Sequence, residues 1–144
     1  MRMIADTNVL LRAILGDDPA QSRASRVALK SAEQVIISRH AFCEMVWVLR
    51  RGAKLPNSEI ARAIRSFLEA DNVVTDTAAV QAGLKAMEAG ADFADGVIAY
   101  EGRWLGGEIF VSFDKKAVTA LEKQGQKVKL LGYATRSSDE RSIC

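Results

Sequence analysis

Four aspartates occupy the positions where this sequence could do chemistry, beside short apolar runs or at the starts of helical segments. Asp6 follows the first apolar run directly, and Asp114 lies just beyond the fourth. Asp92 and Asp95 are three residues apart at the start of a helical segment, so their side chains share one face. Because ligands of open parallel sheets bind beyond the carboxyl ends of the strands, we expect these acids at one rim of the sheet.

Glu44 is a further acidic candidate, and its surroundings set it apart. The neighbouring positions are nearly all apolar: Phe42, Cys43, Met45, Val46 and Trp47. This pattern predicts that Glu44 lies in a buried stretch of helix. A carboxylate in such a place needs a charged partner or a metal ion.

Carboxylates that are crowded together repel one another and raise one another's pKa, and a divalent cation removes that penalty. Mg²⁺ prefers oxygen ligands and retains several waters. An ion held in this way lowers the pKa of water and neutralises charge on a phosphate, which suits phosphodiester hydrolysis. This chemistry needs no histidine. The sequence has only His40, which argues against a Ser-His-Asp or Cys-His mechanism.

Each aspartate also has a purely structural interpretation. Asp6 and Asp114 could cap the helices that follow them, and Asp92 with Asp95 has the spacing of an acidic capping pair, which the helix dipole favours. These interpretations lose weight when all the acids map to one rim. The spacing by itself leaves both roles open.

The elements that position these acids alternate along the chain. Short Val/Ile-rich runs predict strands over residues 2–5, 34–37, 72–75, 108–112 and 127–131. Segments of helical periodicity predict helices over residues 8–15, 19–32, 39–51, 56–70, 77–89, 92–104 and 114–123. This alternation predicts an α/β fold, a three-layer α/β/α sandwich with a central parallel sheet of four to five strands.

Length and composition restrict the class of protein further. The 144 residues are 49% hydrophobic and 26% charged, which suits one globular domain. We assign residues 1–132 to that domain and residues 133–144 to a polar C-terminal tail. No apolar run is long enough for a membrane helix or a signal peptide, so we expect a soluble, cytoplasmic protein. The net charge of +2 permits a polyanionic partner without requiring one.

The motifs around the acids resemble those of PIN-domain proteins, especially the VapC-type toxins of toxin–antitoxin pairs. Four segments in family order carry the resemblance: residues 3–12 (Met-Ile-Ala-Asp-Thr-Asn-Val-Leu-Leu-Arg), Glu44 in a helix, residues 90–99 (Gly-Ala-Asp-Phe-Ala-Asp-Gly-Val-Ile-Ala) and residues 111–116 (Val-Ser-Phe-Asp-Lys-Lys). Together they cover roughly residues 3–131.

This resemblance implies a PIN-like fold and an endoribonuclease that depends on Mg²⁺ or Mn²⁺, with one or two ions. Carried over residue by residue, the catalytic and metal-binding acids are Asp6, Glu44, Asp95 and Asp114. Asp92 is then an additional metal ligand or a helix cap. The implied reaction is hydrolysis of RNA phosphodiester bonds by water activated at the metal, which leaves 5′-phosphate and 3′-hydroxyl ends.

Small residues near the acids also match the family's pattern. Thr7, Asn8 and Ser112 stand at positions that orient the carboxylates in such sites. Ser112 replaces a commoner threonine, and we expect the role of the hydroxyl to survive. Gly96 stands where relatives often carry alanine, and we expect it to weaken the first turn of its helix slightly.

Basic and aromatic side chains are candidates for contact with substrate. We assign this role to Arg12, His40, Lys115 and Lys116. Other basic residues could contact phosphate as well, although a solvated face is the default interpretation for them: Arg39, Arg50, Arg51 and Lys54. Trp47 and Trp104 could stack on bases, although packing in a core or an interface is the more common role.

VapC-type proteins usually form homodimers and pair with a VapB-like antitoxin, which inserts a helix or a tail into an apolar groove. We therefore expect a toxin of a type II toxin–antitoxin system that binds RNA, as a homodimer or in a toxin–antitoxin hetero-oligomer, with no membrane partner. The apolar segments 9–15 and 42–49 could form the dimer face, the antitoxin groove or the core. Two alternatives stay open: a PIN-fold nuclease of RNA maturation or DNA repair, and a catalytically silent binding module.

Overall fold

The structure is a computed structural model and describes residues 1–132. The polar tail that we expect over residues 133–144 lies outside the described residues. Five strands and seven α-helices alternate along the described chain, in the order that the sequence predicts. No helix in residues 1–132 is both long enough and apolar enough to cross a membrane.

The strands are short, and their pairings are parallel. They are β1 (Arg2–Ile4), β2 (Gln34–Ile36), β3 (Val73–Val74), β4 (Phe110–Ser112) and β5 (Val128–Leu130). β2 lies between β1 and β3, so that Val35 is opposite both Met3 and Val73. β4 pairs with β5, and within residues 1–132 no strand pairing joins this pair to the other three strands. The parallel α/β class is confirmed, with the five strands divided into two hydrogen-bonded groups.

Helices connect the strands, and several begin at a side chain that accepts a hydrogen bond from the first turn. Oδ1 of Asp18 accepts from the Gln21 N–H at 3.1 Å, and Oγ of Ser38 accepts from the Ala41 N–H at 3.0 Å. Such caps satisfy backbone donors that the helix itself cannot. The helices are α1 (Thr7–Leu15), α2 (Pro19–Ser31), α3 (Arg39–Trp47), α4 (Asn57–Glu69), α5 (Thr77–Glu88), α6 (Phe93–Trp104) and α7 (Lys115–Lys123).

The helix that the sequence predicts over residues 39–51 changes type after Trp47. A π-helix follows α3 over Val48–Gly52, and the N–H of Ala53 donates to the carbonyl of Val48 at 3.0 Å. Within this turn Leu49 is fully buried, whereas the next side chain, Arg50, is partly exposed. Turns of this type are uncommon and frequently lie next to functional sites.

The core uses one face of α3, and Glu44 lies on the other. Phe42 and Met45 are fully buried, and the ring of Phe42 packs edge-on against Phe67 of α4 with centroids 6.3 Å apart. The side chain of Glu44 is 53% exposed, so the predicted burial of Glu44 is wrong. Helical periodicity explains the error: the apolar side chains at 41, 42, 45, 46 and 49 take the inner face and leave position 44 outside.

At Gly96, α6 packs so closely against α5 that no space remains for a side chain. A Cβ atom at Gly96 would lie 2.2 Å from the carbonyl oxygen of Ala82 and 2.8 Å from Cβ of Ala86. Glycine therefore permits a helix contact that any larger residue would obstruct, a role beyond the weakened first turn that the sequence predicts. The same contact fixes the beginning of α6, where Asp92 and Asp95 are placed.

We expect Gly96→Ala to destabilise the domain by about 1–3 kcal/mol, because the added methyl group must displace backbone rather than a flexible side chain. Gly102→Ala is the matched control on the same helix, since nothing lies within 4 Å of a Cβ built there. That control should be neutral or stabilising by about 0.5–1 kcal/mol. Thermal unfolding of both variants measures the difference, and equal melting temperatures would contradict the proposed helix contact.

Candidate metal centre

Three of the predicted acids come together where α6 and α7 begin. Asp92 directly precedes α6, Asp95 lies in its first turn, and Asp114 directly precedes α7. Each offers one carboxylate oxygen, and the three oxygens lie within 4.8 Å of one another. We call these residues the three-aspartate group.

The first turn of α6 holds two members of the group in place. The N–H of Asp92 donates to Oδ2 of Asp95 at 3.2 Å, which is the reciprocal bond of a capping box. Phe93, between them in the chain, is almost completely buried and anchors the turn in the core. Asp92 is exposed and Asp95 is half-buried, so the pair reaches from the surface into the domain.

The third member begins α7 and also serves as its N-cap. Oδ1 of Asp114 accepts from the Lys116 N–H at 2.9 Å and from the Ala117 N–H at 3.3 Å. The N–H of Asp114 itself donates to Oγ of Ser112 at 2.9 Å, a contact of the orienting kind that the sequence predicts for this hydroxyl. Because a carboxylate has two oxygens, the capping role of Asp114 is compatible with binding a cation.

Asp95, the most buried member of the three-aspartate group, has a raised pKa. Burial raises the pKa of Asp95 above its ordinary value, the charges of Asp92 and Asp114 raise it further, and the hydrogen bond from the Asp92 N–H opposes them. The ionised form of Asp95 is therefore disfavoured unless a cation is close by.

The donor set fits a hard divalent cation. Three carboxylates supply oxygen ligands alone, which Mg²⁺ and Mn²⁺ accept readily. Two of the three residues are exposed, which leaves room for water and for a phosphate oxygen around an ion. Asp92, Asp95 and Asp114 would hold such an ion, and its charge would offset the repulsion that raises the pKa of Asp95.

The remaining predicted acids form a second group at the start of α1. Asp6 caps this helix through Oδ1, which accepts from the Thr7 N–H at 2.9 Å. The hydroxyl of Thr7 donates to Oε1 of Glu44 at 2.8 Å. Nε2 of His40 lies 3.4 Å from the same oxygen, so His40 and Glu44 form an ion pair when the imidazole is protonated.

The two groups of acids are distinct in the described part of the chain, where the three-aspartate group contains neither Asp6 nor Glu44. Asp6 comes just after β1 and Asp114 just after β4, and these strands belong to different hydrogen-bonded groups. The contact between Thr7 and Glu44 nevertheless matches the orienting role that the sequence predicts for Thr7.

The basic candidates have different surroundings. Arg12 forms an ion pair with Asp17 at 2.9 Å, and this hydrogen bond lowers the pKa of Asp17. Lys115 and Lys116 are exposed in the first turn of α7, directly after Asp114, where they can reach a ligand of the three-aspartate group. Asn8 is exposed in the first turn of α1.

Both tryptophans lie on the surface. Trp47 is 63% exposed and Trp104 is 75% exposed, so neither packs in the core of the domain, and an interface contact and base stacking are the predicted roles that fit this exposure. The indole N–H of Trp104 donates to the hydroxyl of Tyr100 at 2.7 Å. An indole with an exposed ring face can stack on a base or pack against another protein.

Arg50 contacts the three-aspartate group, although the default interpretation of its sequence position is a solvated surface residue. Its Nη1 donates to Oδ1 of Asp92 at 2.8 Å. The two residues belong to different helical segments and are far apart in the chain, so no local spacing signals their contact. The only indication in the sequence is that this arginine belongs to a basic pair that directly follows an apolar helical segment.

An α/β domain with parallel strands and a cluster of carboxylates at two helix starts has the architecture and chemistry of a metal-dependent nuclease. The family model described as PIN domain matches residues 3–121 of the sequence. The chain therefore belongs to the PIN-domain family, whose members are generally metal-dependent nucleases that use divalent ions. A search of curated proteins gave no significant match.

We expect Asp95→Asn to raise the melting temperature of the metal-free protein at neutral pH. A group whose pKa is raised in the folded state stabilises the fold at low pH and loses that contribution as pH rises through the folded pKa. Asparagine removes this penalty and keeps an oxygen that can accept from the Asp92 N–H. Thermal unfolding in EDTA should show the gain at pH 7 and none near pH 3, where the carboxyl is protonated in both states. A variant less stable than the wild type at pH 7 would contradict the crowding of charge.

Proposed function

We propose that this chain is a Mg²⁺- or Mn²⁺-dependent endoribonuclease and the toxin of a type II toxin–antitoxin system. The observation that carries the nuclease proposal is the three-aspartate group, whose oxygens lie within 4.8 Å of one another inside a PIN domain. Its closeness to two exposed lysines suits a polyanionic substrate. RNA, rather than DNA, is proposed on the resemblance of the motifs to those of VapC-type toxins.

Different residues of the chain have different roles in the proposed reaction. Asp92, Asp95 and Asp114 bind one or two ions, and Ser112 holds the backbone of Asp114 in place. When bound, the ion supplies a water of lowered pKa and neutralises charge on the phosphate. Lys115 or Lys116 contacts the phosphate from the first turn of α7. A water molecule adds to phosphorus and releases one proton to solvent, the bond from phosphorus to the 3′ oxygen breaks, and that oxygen takes up one proton from solvent, which leaves 5′-phosphate and 3′-hydroxyl ends.

The group at the start of α1 is proposed as the second part of the same site. Asp6 and Glu44 remain catalytic candidates by the resemblance, and Thr7 joins them through its backbone and its hydroxyl. His40 and Arg12 remain candidates for substrate contact beside them. Glu44 and His40 lie on the outer face of α3, which supports access of a substrate to these side chains.

The proposed partners are a second copy of the chain and a VapB-like antitoxin, acting in the cytoplasm. Exposed apolar side chains support protein–protein contact, because monomeric proteins rarely leave large apolar patches uncovered. Ile98, Trp104 and Leu105 of the α6 region are all exposed. Leu10, Leu11 and the inward residues of α3 are instead part of the core, so these positions are not available as a groove.

Purified protein should cleave single-stranded RNA with Mg²⁺ or Mn²⁺ and stop when EDTA is added. Asp95→Asn and Asp6→Asn should each reduce cleavage by about 100-fold or more, because a lost carboxylate weakens the binding of the ion that offsets charge on the phosphate. Asp71→Asn is the control, since Asp71 is exposed after α4 and belongs to neither group of acids. Labelled RNA resolved on gels measures the rates. Metal-independent cutting would refute the mechanism, and full activity of both variants would refute the site.

The toxin proposal is tested by expressing the chain without an antitoxin in a bacterial host. Growth should stop on induction of the wild type and continue on induction of Asp95→Asn at matched soluble protein levels. Growth arrest by both would indicate toxicity unrelated to the site. Normal growth with verified soluble wild-type protein would contradict the toxin role and favour a nuclease of RNA maturation or DNA repair.

A further inference from the structure

Arg50 connects the π-helix after α3 to the three-aspartate group. Its Nη1 donates to Oδ1 of Asp92 at 2.8 Å, and the side chains of the two residues are 38% and 53% exposed. A small groove of about 80 Å³ lies beside this pair, lined in part by Trp47 and Phe93. The positively charged guanidinium of Arg50 thus lies at the edge of the proposed metal site, in contact with solvent and beside the exposed indole of Trp47.

The other ion-paired arginines of residues 1–132 have acidic partners elsewhere. Arg12 pairs with Asp17, Arg65 pairs with Glu88, and Arg39 contacts Asp76 and Glu101. Among the ion pairs of the described chain, Arg50 with Asp92 is the one that involves the three-aspartate group. Its position therefore differs from that of a solvated surface arginine.

Stability does not account for this pair. Exposed ion pairs contribute about 0–1 kcal/mol, because solvent screens the charges and two long side chains must be held still. The guanidinium has five N–H donors in a fixed fork and Asp92 occupies one of them, so the remaining donors are suited to a phosphate. Asp92 likewise keeps a second oxygen for a metal ion.

We propose that Arg50 is a substrate-positioning residue, whose guanidinium is aligned by Asp92 and donates hydrogen bonds to the RNA phosphate beside the metal centre. This inference rests on the proposed nuclease function and adds a specific contact to it. Arginine is suited to this task because its fork binds two phosphate oxygens at once, which lysine cannot do. The adjacent indole of Trp47 offers a face on which the neighbouring base can stack.

The test compares Arg50→Gln with Arg62→Gln, which removes the same charge from an exposed residue of α4 outside the groove. Fluorescence anisotropy with labelled single-stranded RNA in EDTA measures binding without cleavage. Arg50→Gln should weaken binding about tenfold, the loss expected for one charge-assisted contact, and Arg62→Gln by less than about twofold. In cleavage assays with Mg²⁺, Arg50→Gln should raise KM with little change in kcat. Arg50→Lys should recover part of the binding.

Mn²⁺ binding, followed by electron paramagnetic resonance, separates substrate positioning from support of the metal ligand. Arg50→Gln should bind Mn²⁺ at least as tightly as the wild type, because a competing cation has been removed from Asp92. Loss of Mn²⁺ affinity in Arg50→Gln, or RNA binding equal to that of Arg62→Gln, would overturn the inference.

The two proposals fail in different ways. Wild-type cleavage with an unchanged KM in Arg50→Gln would remove the role of Arg50 alone. Wild-type protein that binds RNA through Arg50 but never cleaves it would remove the nuclease function and leave the phosphate contact standing. A wild type that binds no RNA would overturn both.

Discussion

Three carboxylates share the space between the first turns of α6 and α7, and their mutual repulsion is the constraint on which the rest of the site depends. The fold compensates it only in part. Arg50 neutralises Asp92, backbone N–H groups at the start of α7 donate to Asp114, and the positive ends of both helices favour negative charge. Asp95 receives one backbone hydrogen bond and is half-buried, so its pKa is raised. A divalent cation held by the three carboxylates would complete the compensation and would link binding of metal to the stability of this region.

The architecture explains why the carboxylates cannot move apart. α6 is held against α5 by the contact at Gly96, one residue after Asp95, and by the buried ring of Phe93. α7 begins immediately beyond β4, and the hydroxyl of Ser112 at the end of that strand fixes the backbone of Asp114. Two rigid helix starts therefore hold the three carboxylates in place despite their mutual repulsion, and in this way the small α/β domain preorganises the site. The π-helix adds Arg50 from a third direction.

Periodicity and capping signals predict the five strands and the seven helices, because these depend on local sequence. Features that depend on tertiary contact cannot be predicted in this way: the sequence predicts all five acids at one rim, whereas the three-aspartate group within residues 1–132 contains neither Asp6 nor Glu44. The apolar neighbours of Glu44 predict burial, yet its place on the helix turns it to solvent. The close approach at Gly96 and the bond from Arg50 to Asp92 join residues of different elements, which no spacing in the sequence encodes. Within residues 1–132, β1 and β4, which precede Asp6 and Asp114, likewise belong to different hydrogen-bonded groups, which no motif signals.

Capping and metal binding are compatible at Asp114, so metal binding by the three-aspartate group can be measured directly with a substitution at this residue. Asparagine caps a helix about as well as aspartate, so Asp114→Asn should keep α7 and the fold while it removes one charged ligand. Titration calorimetry with Mn²⁺ at neutral pH is the measurement. We expect saturable binding to the wild type, binding weakened by about tenfold or more in Asp114→Asn, and no change in Asp17→Asn. Equal Mn²⁺ affinity in the wild type and in a folded Asp114→Asn would contradict a metal centre at the three-aspartate group.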